Sequence, residues 1–515
     1  MSLREKIKSI EKWTWLDMVI MVFTVITSIF CIEGCIYTIQ SDMWCKLGRD
    51  LLEDFGNINK ETISWAYDAG LADIWVNHEF LTCMLMGACS YVKNYLFAVL
   101  CYIAFIIIIA VEFIRNIKEN RGGNLVFYIL TAVIFSKFAT STGFARPSAM
   151  SVLIYLLFIL CIYDIFNNGW DRKRNAKLIL LLDLWACCHG GSYPISIVTI
   201  IAFAIEEFVN NKKLNNAIKV FITYTVSTGI LLIIPITRRS ILYNFIQHGN
   251  TEEVGEWNNI LNLIPKHNTF VLIVLIIVSL CTIVLQFQLH RVRNWKPFLK
   301  NCALWIMLGG TLVMGCLHIR YLQYFGCIGL MLIPKYVKQY ERIGVKMENI
   351  MRIAVVAYSL LCTFYSDYNI LNQPTNAEIL LERQAVDRIS YEDEYIEEIL
   401  KHKDVRLVNL EPAIDDILVN NGIKVFHDCR CDNMYKQPYH DIFILSKMGN
   451  ENEVAEALGR LRGYSVEMIN MWVRNDDTNM GNIEWIKEKI GGDVEIVAIS
   501  GDENDRVRAF LLHLK

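Results

Sequence analysis

The chain has 515 residues, of which 54% are hydrophobic and only 20% are charged, and its formal net charge is −3. Soluble domains are about 45–50% apolar and about 25% charged, so this composition indicates a membrane protein. The basic residues form short, separate clusters, which excludes the continuous basic face of a nucleic-acid-binding protein, and the cysteine spacing excludes a zinc site.

The N-terminal segment is basic and runs into an apolar stretch long enough to cross a membrane. No small-residue cleavage site follows, so we predict an uncleaved signal anchor. Similar apolar runs predict about eleven transmembrane helices in all. They lie at 15–39, 94–114, 124–142, 148–166, 178–189, 194–209, 218–236, 268–289, 302–318, 319–336 and 353–368.

The segments between these runs alternate between basic ones and mixed or acidic ones. The basic segments are the N-terminus, 115–121, 171–177, 210–213, 290–300 and 335–346. Lys and Arg favour the cytoplasmic side of a membrane. The alternation therefore predicts a cytoplasmic N-terminus and, with eleven spans, an extracytoplasmic C-terminal segment.

Residues 370–515 have a different pattern from the apolar runs before them. Short β-branched and aromatic runs predict strands, and three polar-apolar stretches predict helices at 378–403, 451–463 and 482–492. The strands are predicted at 405–410, 423–428, 441–447, 466–473, 494–500 and 507–514. We therefore divide the chain into a transmembrane domain, 1–369, and an extracytoplasmic α/β domain, 370–515. No glycine-rich phosphate fingerprint opens a helix there, so no nucleotide is assigned.

Polar and titratable residues collect in the predicted outer loops. The first outer loop, 40–78, begins with "SDMWCKLGRD" and returns to the membrane at "WVNHEFL". Its candidate functional residues, and those of the later outer loops, are Asp42, Lys46, Arg49, His78, Glu79, Arg146, His189, Arg238, Arg239, Glu256, Trp257 and Arg320. Any chemistry of this chain is therefore expected outside the cytoplasm.

Sugar transfer from a lipid carrier suits that location, because no nucleotide-activated donor is available outside the cytoplasm. Such a reaction needs a carboxylate to deprotonate the acceptor hydroxyl and cations to stabilise the departing phosphate. Asp42 supplies the first. Arg146, Arg238, Arg239 and Arg320 are candidates for the second, since the planar guanidinium binds two phosphate oxygens at once.

The outer motifs, taken in order, resemble those of bacterial multi-pass membrane proteins in the GT-C glycosyltransferase superfamily, relatives of protein mannosyltransferases and aminoarabinose transferases. "QSDMWCKLGRD" resembles the D-x-D-x-W-W-H-L-x-x-G pattern near the end of the first span, and "WVNHEFL" resembles W-x-x-H-E-W-L. The segments "ARPS", "WACCHGG", "GEWNN" and "HDCRCD" follow in the family's order.

The resemblance implies a polytopic helical fold whose long first outer loop carries amphipathic helices on the membrane, followed by an outer C-terminal domain. It also implies that Asp42 is the general base. A divalent metal is possible in this superfamily, with Asp42 and Glu79 as its ligands. Three residues depart from the family pattern: Lys46 stands where histidine is usual, Cys45 replaces a tryptophan and Cys187 replaces an asparagine.

Each acidic or aromatic candidate also has a structural interpretation. The structural alternative for Asp42 is a solvated carboxylate beside a helix end. The structural alternative for Glu79 is a negative charge that interacts with the N-terminal dipole of the helix it precedes, and His78 would then cap that helix. Glu256 and Trp257 fit sugar contacts, although a tryptophan at an interface is ordinarily an anchor.

Each basic candidate likewise has a structural and a functional interpretation. Arg146 fits an interfacial anchor as well as a phosphate ligand. His189 fits a hydrogen-bonded histidine at a helix end, with the following glycines forming the turn. Arg238, Arg239 and Arg320 lie outside against the usual charge bias, which favours ligand binding.

These observations predict a transferase in the cell membrane, specifically a bacterial plasma membrane, that moves a sugar from a polyprenyl-phosphate donor to an extracytoplasmic acceptor. The acceptor is a glycan, lipid or protein of the cell envelope. The alternatives are a transporter or binding protein for lipid-linked sugars, and a structural protein whose outer domain recruits envelope partners.

Overall fold

The computed structural model describes residues 41–60, 62–65, 77–93, 95–119, 132, 135–136, 138–140, 144–246, 300–337, 393–402, 404–409, 418–419, 421–426, 441, 451–474, 494–500 and 507–514. The predicted spans at 15–39, 268–289 and 353–368, and most of 124–142, lie outside these residues. The chain forms two compact units. We call them the helical unit, which contains 95–243, and the mixed unit, which contains 39–94 and the residues after 367.

The helical unit contains eight described α-helices. They are α3 (Leu96–Glu119), α4 (Ser148–Asn168), α5 (Arg172–His189), α6 (Ile195–Asn211), α7 (Asn215–Ile233), α8 (Pro235–Ile246), α9 (Cys302–Leu317) and α10 (Leu322–Val337). Three helices are long and apolar enough to cross a membrane: α3, α4 and α7. Helices α5 and α6 meet at an angle of 114° and make a fourth span if they are counted as one.

Helix α4 is the most buried of the three, because 67% of its most apolar 18-residue stretch is buried, against 22% for that of α7. Its 21 residues give a length of about 31 Å, close to the thickness of a bilayer's hydrocarbon core. Gly169 ends it with a φ of 87°, a left-handed conformation that glycine adopts without strain. Asp171 then starts α5 by accepting a hydrogen bond from the Arg174 amide at 2.8 Å.

Two adjacent glutamates near the end of α6 hold the first turns of two other helices. Glu207 accepts hydrogen bonds from the backbone amides of Asn216 and Ala217, at 3.0 and 2.9 Å. Glu206 accepts one from the amide of Ala303 at 2.8 Å. These carboxylates satisfy amides that a helix cannot bond internally, so α7 and α9 are both fixed to α6.

A buried ion pair joins α10 to α3 near the same helix ends. The Lys335 ammonium contacts the Glu112 carboxylate, and the two side chains are only 5% and 6% exposed. The same ammonium lies 5.1 Å from the centre of the Tyr163 ring in α4. Charged groups at this depth are costly unless they are paired, and here each has its partner.

The mixed unit begins with α1 (Ser41–Glu53), a short 3₁₀ helix (Phe55–Asn59) and α2 (Phe80–Ser90). Helices α1 and α2 cross with almost no space between their backbones. A Cβ placed on Gly48 would lie 1.8 Å from the carbonyl oxygen of Cys83. The described residues from 41 to 90 are therefore built around a tightly packed helix pair.

The described residues of the rest of the mixed unit form a four-stranded sheet and two helices. They are α11 (Asp393–Lys401), β1 (Leu407–Asn409), α12 (Glu451–Gly463), β2 (Met468–Arg474), β3 (Val494–Ser500) and β4 (Val507–Leu514). The strand order is β1-β2-β4-β3, with β1 parallel to β2 and β4 antiparallel to both of its neighbours. Buried apolar residues of α12 and of the strands form its core.

Candidate functional site

Helix α1 carries Asp42 in its first turn, and the side chain of Asp42 lies outside the described residues. One turn further along, Lys46 forms an ion pair with Asp50 at 2.9 Å. Asp50 also accepts a hydrogen bond from the Thr62 hydroxyl at 2.8 Å. The lysine that departs from the family pattern therefore contacts a carboxylate of its own helix.

Arg49 lies beside the contact of the two helices. Its guanidinium donates a hydrogen bond to the Ser90 hydroxyl at 2.8 Å, and Ser90 donates to the carbonyl of Gly87 at 2.7 Å. This predicted substrate ligand thus joins α1 to the last residue of α2.

His78 and Glu79 form a turn directly before α2. Glu79 is only 4% exposed, and its Oε1 lies 3.4 Å from Nε2 of His78. Glu79 occupies the N-cap position, but its side chain makes no capping hydrogen bond. Instead, the Asn77 side chain accepts the amide hydrogen of Glu79 at 3.1 Å, so it performs the role that the sequence suggested for His78 and Glu79.

The side-chain donors of this turn also suit a divalent cation. A carboxylate oxygen and an imidazole nitrogen at this spacing can bind the same ion, since carboxylate suits Mg²⁺ or Mn²⁺ and imidazole suits the later transition metals. The turn therefore fits part of the metal site that the resemblance implies for Glu79.

In the helical unit, the predicted site residue His189 ends α5 within a buried hydrogen-bond network. Its Nδ1 lies 2.8 Å from the Ser192 hydroxyl. The indole of Trp185 donates to the same oxygen at 2.7 Å, and the Ser151 hydroxyl of α4 lies 2.8 Å from it. Ser192 thus holds the ends of α4 and α5 together.

The Ser192 hydroxyl also donates a hydrogen bond to the carbonyl oxygen of His189 at 3.0 Å. Ser192 therefore contacts both the backbone and the ring of His189, and these contacts hold the imidazole in place at the end of α5.

The glycine after His189 is required by packing. Gly190 lies in a 3₁₀ turn with an ordinary φ of −59°, and a Cβ there would lie 2.0 Å from the Ser240 hydroxyl. Ser240 donates a hydrogen bond to the carbonyl of Ala186 at 2.8 Å. The turn therefore requires glycine because α8 approaches its backbone closely. A left-handed backbone conformation is not the reason.

The predicted arginines lie near the ends of three helices of this unit. Arg146 is half-buried and precedes α4, and Arg320 is half-buried in the 3₁₀ turn before α10. In α8, Arg238 is exposed and Arg239, next to Ser240, is half-buried. Glu256 and Trp257 lie outside the described residues.

No protein-family model matches the sequence, and no curated protein matches it. Among solved structures, the archaeal oligosaccharyltransferase AglB of Archaeoglobus fulgidus, in complex with an inhibitory peptide and a dolichol-phosphate, has a TM-score of 0.41 and 11% identity, covering 89% of this chain and 70% of that chain. The apo form of the oligosaccharyltransferase from that organism has a TM-score of 0.42 and 10% identity over the same shares. Both neighbours are oligosaccharyltransferases. We base the function proposed for this chain on its own residues.

Several residues that form these sites were not predicted from the sequence. In the sequence, Ser192 and Ser151 resemble ordinary serines near the ends of apolar runs. Thr62 and Asp50 resemble polar residues of a loop. Asn77 had a usable signal, because asparagine just before an apolar helix is a preferred N-terminal cap.

Proposed function

We propose that this chain is a membrane glycosyltransferase that moves a sugar from a polyprenyl-phosphate-linked donor to an extracytoplasmic acceptor of the cell envelope. The observation that carries the proposal is the buried Glu79, paired with His78 in the outer loop that begins with Asp42. Buried carboxylates cost free energy, and an enzyme uses such groups for proton transfer or metal binding.

In the proposed reaction, Asp42 accepts the proton of the acceptor hydroxyl. The oxygen then forms a bond to the anomeric carbon, and the bond between that carbon and the phosphate oxygen breaks. The polyprenyl phosphate leaves with both electrons of that bond. Its new negative charge requires cations, and Arg146, Arg239 and Arg320 are the half-buried candidates. The exposed Arg238, next to Arg239, is a further candidate.

His189 and Ser192 support this proposal by joining the helices that carry the arginines. The Ser192 network ties the start of α4, two residues after Arg146, to the end of α5. Gly190 in turn contacts Ser240, the residue after Arg239. Arginines on helices whose ends are held by such contacts lose little conformational entropy when they bind a phosphate.

Glu79 is the residue we assign to a divalent metal, with Asp42 as the second carboxylate. When bound, the ion would supply positive charge to the leaving phosphate. The two predicted substrate ligands of α1, Lys46 and Arg49, have Asp50 and Ser90 as their described partners. From the charge bias of the loops we also propose eleven spans, a cytoplasmic N-terminus and an extracytoplasmic C-terminal α/β domain.

The test is a transfer assay with the full chain in lipid nanodiscs. A polyprenyl-phosphate sugar labelled in the sugar is incubated with envelope glycan, lipid and peptide acceptors. The proposal expects the label in a new glycosidic product together with free polyprenyl phosphate. In proteoliposomes, movement of intact labelled donor between leaflets with no glycosidic product would instead identify a transporter.

A further inference from the structure

A short segment of the first outer loop is part of the C-terminal sheet. Ser64 forms a parallel bridge with Val425, which itself bridges in parallel to Leu407 of β1. The amide of Trp65 donates to the carbonyl of Val425, and the amide of Val425 donates to the carbonyl of Ile63, both at 3.0 Å. The loop segment therefore extends the sheet beyond its β1 edge, about 360 residues away in sequence.

Trp65 fixes this segment in the core of the mixed unit. It is 5% exposed and its ring packs on Phe426 with centroids 4.9 Å apart. Its indole nitrogen donates to the carbonyl of Leu407 at 2.9 Å, and the guanidinium of Arg406 lies 5.4 Å from its ring centre. The Ser64 hydroxyl donates to the carbonyl of Phe426. Such burial and hydrogen bonding make the segment a fixed part of the sheet.

The residue before this segment connects the sheet to α1. The Thr62 hydroxyl donates to Asp50 Oδ2 at 2.8 Å, and the Lys46 ammonium lies 2.9 Å from the same oxygen. Lys46 in turn is one helical turn from Asp42, on the same face of α1. Contacts thus run from the sheet through Thr62 and Asp50 to Lys46, which follows Asp42 by four residues in α1.

We propose that Thr62 and Asp50 are positioning residues, through which the C-terminal sheet holds α1, and with it Asp42, in its working orientation. This inference rests on the proposed role of Asp42 as base. It assigns Lys46 to the same connection, so that the ammonium orients α1 instead of binding substrate. It also gives the C-terminal region an indirect part in the reaction, as the support of the first outer loop.

The test compares Thr62→Val, which removes the hydrogen bond to Asp50, with Thr62→Ser, which keeps it. Thr311→Val is the matched control, because the Thr311 hydroxyl bonds only to carbonyls of its own helix, Met307 at 2.7 Å and Leu308 at 3.4 Å. Asp50→Asn is the second variant, since it weakens the ion pair while leaving Lys46 in place. Backbone hydrogen exchange of 43–53 and steady-state transfer kinetics are measured for each.

For Thr62→Val and Asp50→Asn we expect exchange in α1 to rise about tenfold, as the loss of one net hydrogen bond predicts. The kcat should fall about tenfold with KM for the lipid donor unchanged, because a tilted base slows the chemical step without altering donor binding. Thr62→Ser and Thr311→Val should match the unaltered chain. If Lys46 were a substrate ligand, Asp50→Asn would leave kcat unchanged or lower KM, and the inference would be wrong.

Asp42→Asn is assayed in parallel to separate the two proposals. Loss of transfer in Asp42→Asn together with unchanged exchange and kcat in Thr62→Val overturns the positioning role alone. Full transfer by Asp42→Asn overturns the proposed base, whereas the exchange measurements still decide whether the sheet holds α1.

Discussion

The backbones of Gly48 and Gly87 touch where α1 crosses α2. A Cβ on Gly87 would lie 2.3 Å from the carbonyl carbon of Gly48, a distance that no side chain tolerates. Small residues at a crossing allow helices to approach until their backbones meet. The pair fixes the separation of the helix that carries Asp42 from the helix that follows Glu79.

Gly48→Ala is therefore expected to separate α1 from α2. The substitution places a methyl group against the backbone of Cys83, and overpacking of this kind costs about 1–3 kcal/mol or more. Thermal unfolding in detergent should show a lower midpoint, and transfer activity should fall. Gly459→Ala is the control, since Gly459 is exposed in α12 with nothing within 4 Å of its Cβ position, and alanine there should be neutral or stabilising.

The buried pair of Lys335 and Glu112 gives a prediction about stability. Lys335→Met leaves Glu112 buried without its ammonium and should destabilise the helical unit by about 3–5 kcal/mol. The double variant, Lys335→Met with Glu112→Leu, removes both charges and should recover most of that loss. A double variant less stable than Lys335→Met would show that Glu112 has a second strong partner.

The Ser192 network predicts a larger effect than an ordinary buried serine. Ser192→Ala removes a hydroxyl bonded to Trp185, Ser151 and His189, so the His189 ring loses its contact at Nδ1. We expect loss of transfer activity with the chain still folded. Ser196→Ala is the matched control: this hydroxyl, 0% exposed, donates to the carbonyl of Tyr193 at 2.6 Å, and its loss should cost about 1 kcal/mol.

The proposed phosphate contacts predict a defect in donor binding. Arg146→Lys and Arg320→Lys keep the positive charge but lose the two-pronged contact with phosphate, so KM for the lipid donor should rise about tenfold. Arg172→Lys, an exposed arginine at the start of α5, should leave KM unchanged. Equal KM values for all three variants would show that neither Arg146 nor Arg320 contacts the phosphate.

Hydrophobic periodicity predicted much of the secondary structure. The apolar runs at 94–114, 148–166 and 218–236 correspond to the three described helices that are long and apolar enough to cross a membrane. The predicted helix at 451–463 and strands at 494–500 and 507–514 have the observed bounds. The count of eleven spans stays a prediction, because four of the spans lie mostly outside the described residues.

Long-range contacts could not be predicted in the same way. No pattern in the sequence around Trp65 identifies it as a core residue of a sheet whose strands begin more than 340 residues later. The same holds for Ser192, whose partners come from two helices, and for Gly190, whose glycine is required by Ser240. Patterns within a sequence identify faces of helices and strands, but they do not identify which faces meet.

The most direct test of the account is the transfer rate of Asp42→Asn at saturating lipid donor. Asp54→Asn is the matched control, an exposed carboxylate of the same loop whose side chain accepts only the amide of Gly56 among its described contacts. We predict that Asp42→Asn binds the polyprenyl-phosphate sugar normally and transfers it about a thousandfold more slowly, as expected for loss of a general base, while Asp54→Asn is unaffected. Transfer by Asp42→Asn at the unaltered rate would contradict the account.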